Sequence, residues 1–131
     1  MEIRPSGSVP TRRAPADYFT GSVLQDPIVE TPSSGNLRAS LVHFEPGART
    51  AWHTHPAGQT LYVVSGFGRV QSLGGKVHEV RAGDVVWFAP NEKHWHGAGP
   101  TTAMAHVAIT EMVGGKFVDW LEKVTDAQFK G

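Results

Sequence analysis

The 131-residue chain contains no cysteine, which excludes disulfides, thiolate metal sites and cysteine nucleophiles. No sign of charge dominates either. Twelve basic residues balance twelve acidic ones, so no whole-molecule field draws the chain to nucleic acid or to an anionic membrane. Long apolar runs are missing, and none approaches the ~20 residues of a membrane helix. The opening Met1-Glu2-Ile3-Arg4-Pro5-Ser6-Gly7 lacks the apolar centre of a secretory leader. A cytoplasmic protein acting on a small molecule is therefore expected, with neither nucleic acid nor membrane as partner. What the chain does have is seven histidines, four of them in two close pairs.

Residues 1–16 are rich in Pro, Ser, Gly and Arg without periodicity, as in an extended N-terminal arm. Residues 17–131 form one domain. In it, short runs enriched in Val, Leu, Phe, Trp and Thr alternate with Gly-, Pro- and Asn-bearing turns. The runs at 37–45, 59–65, 68–73, 77–80, 84–89 and 102–112 are each of strand length. Their regular spacing predicts an all-β sandwich or barrel. Only 117–121 and 125–130 offer helix, and Thr125-Asp126-Ala127-Gln128 has the pattern of a capping box.

On a strand, residues two apart share a face, so His53 and His55 project together and supply half a metal site. Gln59 follows a Pro-x-Gly turn and offers an amide oxygen. In the second cluster His94 and His96 share a face, with Trp95 pointing away. His106 lies in 102–112 on one face with Met104, Ala108 and Thr110, either lining a cavity or held as a structural histidine. His43 and His78 are expected at the surface or an interface, and Trp52, Trp87 and Trp95 in the core or between copies.

This pattern resembles the cupin superfamily. Gly47, His53, His55, Gln59 and Gly66 match its first motif, with Gln where most cupins have Glu, and Gly83, Pro90 and His94 match its second. Asn91 and Glu92 stand where cupins often have glycine; Asn tolerates the left-handed conformation such a turn needs. The asparagine that often closes the second motif is missing. The resemblance implies a double-stranded β-helix, or jelly-roll barrel, holding one divalent ion through His53, His55, Gln59 and His94. His96 is either an additional ligand or a supporting residue.

Glutamine changes the electrostatics of such a site. Three neutral imidazoles and a neutral amide leave the full charge of a divalent ion uncompensated. That weakens metal binding but sharpens Lewis acidity towards an anion. It also disfavours the trivalent state, and hence an oxygen-activating iron. Donor type admits Mn, Fe, Ni, Co or Zn. Gln59 takes no proton, so a general base must come from elsewhere, with His96 and His106 as the candidates.

Phe44 to Pro56, Gly58-Gln59-Thr60-Leu61, Gly83 to Phe88, Glu92 to Ala98 and Val118-Asp119-Trp120 extend the likeness, and resemble the small bacterial cupin hydroxynitrile lyases. That resemblance implies Mn²⁺ as cofactor (with Fe²⁺, Ni²⁺, Co²⁺ or Zn²⁺ as other occupants) and cleavage or formation of aromatic (R)-cyanohydrins such as mandelonitrile. It places His96, His106 and Thr50 around the substrate, and Ser40, Val42 and Thr110 on the pocket wall. The alternatives are a cupin of other activity (oxygenase, isomerase or decarboxylase-associated) and a non-catalytic small-molecule sensor. Four tryptophans in a 14.1 kDa chain also suggest a homodimer or homotetramer.

Overall fold

The computed structural model describes residues 1–30 and 35–131. Among these, one curled sheet runs through nearly the whole chain. Its first part holds β1 (Arg12–Arg13), β2 (Phe19–Thr20), β3 (Val23–Val29) and β4 (Leu37–Phe44). Two short strands, β5 (Arg49–Thr50) and β6 (His53–Thr54), lead into the long β7 (Gln59–Ser72). There follow β8 (His78–Arg81), β9 (Val85–Phe88), β10 (His94–Ala98), β11 (Met104–Glu111), β12 (Asp119–Trp120) and the helix α1 (Asp126–Lys130). Neighbours run in the order β1-β3-β4-β11-β7-β10-β5-β2, and every pairing is antiparallel. No helix of the described residues is long and apolar enough to cross a membrane.

The strand β7 is the hinge of the barrel. Its first half pairs β11 and β9, and its second half pairs β10 and β8. The sequence suggested two strands here, at 59–65 and 68–73; the chain instead bends at Gly66 and continues. Gly66 has φ +79°, and a Cβ there would sit 1.9 Å from the Ala103 carbonyl oxygen. Before the bend, Gln59, Leu61 and Val63 point inward while Tyr62 and Val64 point out, the period of two that a half-buried strand requires. Leu61 and Val63 join Phe19, Val23, Val42, Phe44, Val70, Val80, Phe88 and Met104 in the main core.

Three elements depart from the sequence expectation. Arg12 and Arg13, within the expected arm, pair with Leu24 and Gln25. The strand β3 was hidden by Asp26-Pro27; its register against β4 shifts between Pro27 and Val29, where a proline without an N–H is tolerated. Residues 117–121 are not helical: Asp119 and Trp120 pair with Thr54 and His53 as β12. Helix α1 forms with its capping box, Gln128 N donating to Thr125 Oγ1 and Thr125 N to Gln128 Oε1.

The C-terminal segment is clamped to the barrel. The buried Arg49 guanidinium donates to the Val124 carbonyl at 2.9 Å and to Asp126 at 2.8 Å, and it lies over the Phe129 ring. Phe129 packs with Trp52, Trp95 and Val124 in a second small core. Trp52 and Trp95 are thus structural, whereas Trp87 is 65% exposed beside Val85 on the outer face of β9.

Gly66→Ala should destabilise the protein far more than Gly74→Ala. Gly74 has φ +81° but nothing near its missing Cβ, so its substitution costs only the roughly 1–2 kcal/mol of the left-handed conformation. Urea unfolding midpoints compare the two; equal losses would contradict the close-approach account.

Candidate metal centre

The expected ligands converge. His53 on β6 pairs His94 on β10, and their ring centroids lie 4.3 Å apart. His55 stands 5.0 Å from His53 and 5.5 Å from His94. Gln59, opening β7, brings its Oε1 to 3.2 Å from His94 Nε2. All four side chains are buried.

Each of these imidazoles is held by its other nitrogen. His53 Nδ1 meets the Ala51 carbonyl at 2.8 Å, His55 Nδ1 the Phe117 carbonyl at 2.6 Å, and His94 Nδ1 the Glu92 carbonyl at 2.8 Å. A carbonyl oxygen only accepts, so Nδ1 must carry the proton in all three. Burial pushes His94 down to about 4, and it likewise holds His53 and His55 below their usual value. The rings are therefore neutral at pH 7, with Nε2 left as a bare lone pair.

Those lone pairs lack hydrogens to meet. His55 Nε2 is buried without a hydrogen-bond partner among the described residues. His94 Nε2 faces the Gln59 oxygen, so in this orientation two acceptors oppose one another. A divalent cation among them removes the conflict, and histidine nitrogen with an amide oxygen is a suitable donor set. The residues fit the metal.

The turn before His94 explains the unusual second motif. Asn91 takes φ +62°, as its residue type allows. The Glu92 carboxylate accepts from Ala89 N at 2.7 Å and from Ser72 Oγ at 2.8 Å, locking the loop whose carbonyl holds His94. Where the closing asparagine is missing, Gly97 lets β10 approach β5: a Cβ there would lie 2.4 Å from the Ala48 oxygen.

His96 and His106 form a separate pair, with His106 Nε2 2.9 Å from His96 Nδ1. His96 lines the cavity, while His106 is fully buried one layer behind it rather than on the wall. One ligand atom from each of His53, His94 and His96 lies within 4.8 Å of the others. His96 differs from the other two in its partner: its Nδ1 meets an imidazole, which can take or give a proton, where theirs meet carbonyls, which cannot. Burial and neighbouring imidazoles hold His96 well below its usual value, and burial pushes His106 to about 4. Thr50 Oγ1 accepts the main-chain N–H of His96 at 3.2 Å, and its own hydroxyl proton has no acceptor among the described residues.

The cavity before this centre measures about 170 Å³, an order of magnitude above the space one water needs. Ser40, Val42 and Thr110 stand on its wall beside Thr50, His53, His55 and Gln59. The wall also includes residues that sequence patterning missed: Phe19, Phe117, Val118, Trp120, Arg12, Glu30 and Arg38. Phe117 and Trp120 were obscured by the helical expectation for 117–121. Arg38 was discoverable, since it alternates with Ser40 and Val42 along β4. His43 lies outside the cavity, bonded to Asp26 at 2.9 Å, and His78 is exposed.

The buried imidazoles link stability to pH. Unfolded, each takes a proton near pH 6.5; folded, His94 and His106 resist until about 4. Between those values the unfolded state binds more protons, so stability is full above pH 6.5 and falls as pH drops towards 4. Each such histidine contributes a slope of about 1.4 kcal/mol per pH unit. Metal-free protein should therefore lose urea stability steeply between these limits and hold it above them; a midpoint unchanged down to pH 5 would contradict this.

Residues 40–110 match the cupin domain family, more than half of the chain. A curated (R)-mandelonitrile lyase from Granulicella tundricola is 57% identical over 130 residues, covering 99% of both chains. A cupin-like protein from Thermotoga maritima, known from its crystal structure, is 39% identical with a TM-score of 0.85, covering 99% of this chain and 96% of that one. A polyketide cyclase from Streptomyces resistomycificus, 15% identical with a TM-score of 0.77 over 99% of this chain and 91% of its own, shares the fold. With both histidine motifs in place on a curled antiparallel barrel, this chain belongs to the cupin family.

Proposed function

We propose that the chain is a hydroxynitrile lyase that splits aromatic (R)-cyanohydrins, mandelonitrile among them, into aldehyde and hydrogen cyanide, with manganese(II) as its metal. The observation that carries this reading is the full-length 57% identity with an (R)-mandelonitrile lyase. The geometry supports it: a neutral donor set stands beside a histidine pair able to move a proton.

In this reading His53, His55 and His94 hold the ion through Nε2, the nitrogen their Nδ1–carbonyl bonds leave as a lone pair, and Gln59 adds its amide oxygen. Bound there, manganese supplies Lewis-acid stabilisation of negative charge on the substrate oxygen. The chain does the rest. With Nδ1–H donating to His106, His96 presents a free Nε2 lone pair on the cavity wall, next to the substrate hydroxyl. Nε2 takes the hydroxyl proton, the carbon–cyanide bond breaks with its electron pair leaving on cyanide, and the carbonyl double bond forms. The proton then passes from His96 to cyanide, restoring the neutral imidazole. His106 steadies the imidazolium by accepting its Nδ1–H, and Thr50 offers its free hydroxyl proton to the departing charge. Phe19, Val42, Val118 and Trp120 provide the apolar wall for the aromatic ring and keep bulk water from the proton in transit.

An oxygen-activating iron centre suits this donor set less well, since no carboxylate among the four ligands offsets a third positive charge. Manganese-loaded protein should cleave mandelonitrile, the (R) enantiomer faster, and lose that activity on chelation. His96→Ala and His106→Ala should keep metal while losing ~10²–10⁴-fold in rate. Gln59→Glu should retain metal and slow the reaction. Benzaldehyde absorbance above the spontaneous rate, read alongside metal content, checks each. Metal-loaded protein no faster than the blank would overturn the lyase reading, and a faster Gln59→Glu variant the charge argument.

A further inference from the structure

The mouth of the cavity carries charge that this reaction does not use. Among the described residues lining it, three are charged: Arg12, Glu30 and Arg38. Arg12 grips Glu30 with two hydrogen bonds, at 2.9 and 3.1 Å, so this carboxylate is already matched. Arg38 makes no ion pair within contact distance among the described residues. Its guanidinium instead lies over the Phe117 ring, 4.2 Å from the centroid, and Glu30 senses it only as a more distant charge.

Position makes this cation relevant to a ligand. On β4, Arg38, Ser40 and Val42 share the cavity face and descend from rim to floor, since Val42 pairs the buried His106. Arg38 itself pairs Thr110, and Thr110 pairs Gln59, so rim cation and candidate metal ligand belong to one cross-strand row. Two strand spacings put their backbones roughly 10 Å apart. That is the scale of one aromatic ring with a substituent at each end. Aromatic side chains flank the gap: Phe117 under Arg38, and Trp120 with Phe19 further in.

The charge balance is one-sided. The four candidate ligands are neutral and Glu30 is bonded to Arg12, so among the described residues the Arg38 guanidinium has no carboxylate in ion-pair contact. A low-dielectric cleft of this kind concentrates anions. We propose that the cavity is built for an aromatic substrate bearing a ring carboxylate remote from the reacting carbon, with Arg38 binding that carboxylate at the mouth. This rests on the lyase reading for the reacting end and adds the anionic end.

The test compares 4-formylbenzoate with benzaldehyde in calorimetric binding to metal-loaded and metal-free protein, and the two corresponding cyanohydrins in turnover. The charged ligand should bind roughly tenfold tighter, the scale of one charge-assisted hydrogen bond, in both forms. The preference should shrink with added salt. Arg38→Gln should bring the ratio towards one and Arg38→Lys should restore part of it, with metal content and urea midpoint measured for each variant. Equal binding of the two aldehydes overturns the proposal even if mandelonitrile is cleaved. So does a preference that survives Arg38→Gln or appears only with metal present. Arg38-dependent binding without turnover of either cyanohydrin sustains the anion site and removes the lyase reading.

Discussion

The hydrogen bonds from histidine Nδ1 to main-chain carbonyls set the terms for the rest of the molecule. Ala51, Glu92 and Phe117 each supply one, and each fixes both the tautomer and the direction of a ring. In water such a bond would exchange freely. In a dry interior, where burial forbids a second proton, it obliges Nε2 to remain a lone pair. Three such rings with the Gln59 oxygen make a cluster of acceptors that is costly when empty and favourable around a cation. The fold bears that cost through its core and gains it back on binding metal.

The three carbonyls come from three parts of the chain, which explains why distant segments matter to the centre. Glu92 sits in a turn locked by its own carboxylate and shaped by Asn91. Ala51 lies between the two short strands β5 and β6, inside the first motif. Phe117 belongs to the C-terminal segment, which β12 pairs against β6 and which the buried Arg49 and the Phe129 core hold further along. The same segment lends Trp120 to the cavity wall, 4.7 Å from His53. It therefore supports a candidate ligand, His55, and shapes the pocket together.

The candidate site was more legible than the segments that support it. His53, His55, Gln59 and His94 announce themselves because metal chemistry restricts residue type and spacing at once. Ser40 and Val42 came only from the resemblance to lyases, and Thr110 also from the strand face it shares with His106. The strand alternation behind them was available but did not single out Arg38. Phe117 and Trp120 escaped because a five-residue stretch with mixed polarity fits a helix or a strand equally well locally, and pairing with Thr54 and His53 decides the matter. Carbonyl partners such as Ala51 carry no signature at all, since any residue offers the same backbone oxygen. His106 was placed on the right strand, but its depth behind His96 depends on the bulge where β11 shifts register against β7.

The central claim is that a neutral set of three Nε2 nitrogens and one amide oxygen holds the ion while Nδ1 keeps its proton. Histidine side-chain nitrogen resonances in zinc-loaded, ¹⁵N-labelled protein address it directly, zinc being a diamagnetic stand-in. The account predicts that Nε2 of His53, His55 and His94 shifts on metal binding, with Nδ1 of each still protonated and His96 unligated. Metal on any Nδ1, or on His96 in place of His55, would contradict it.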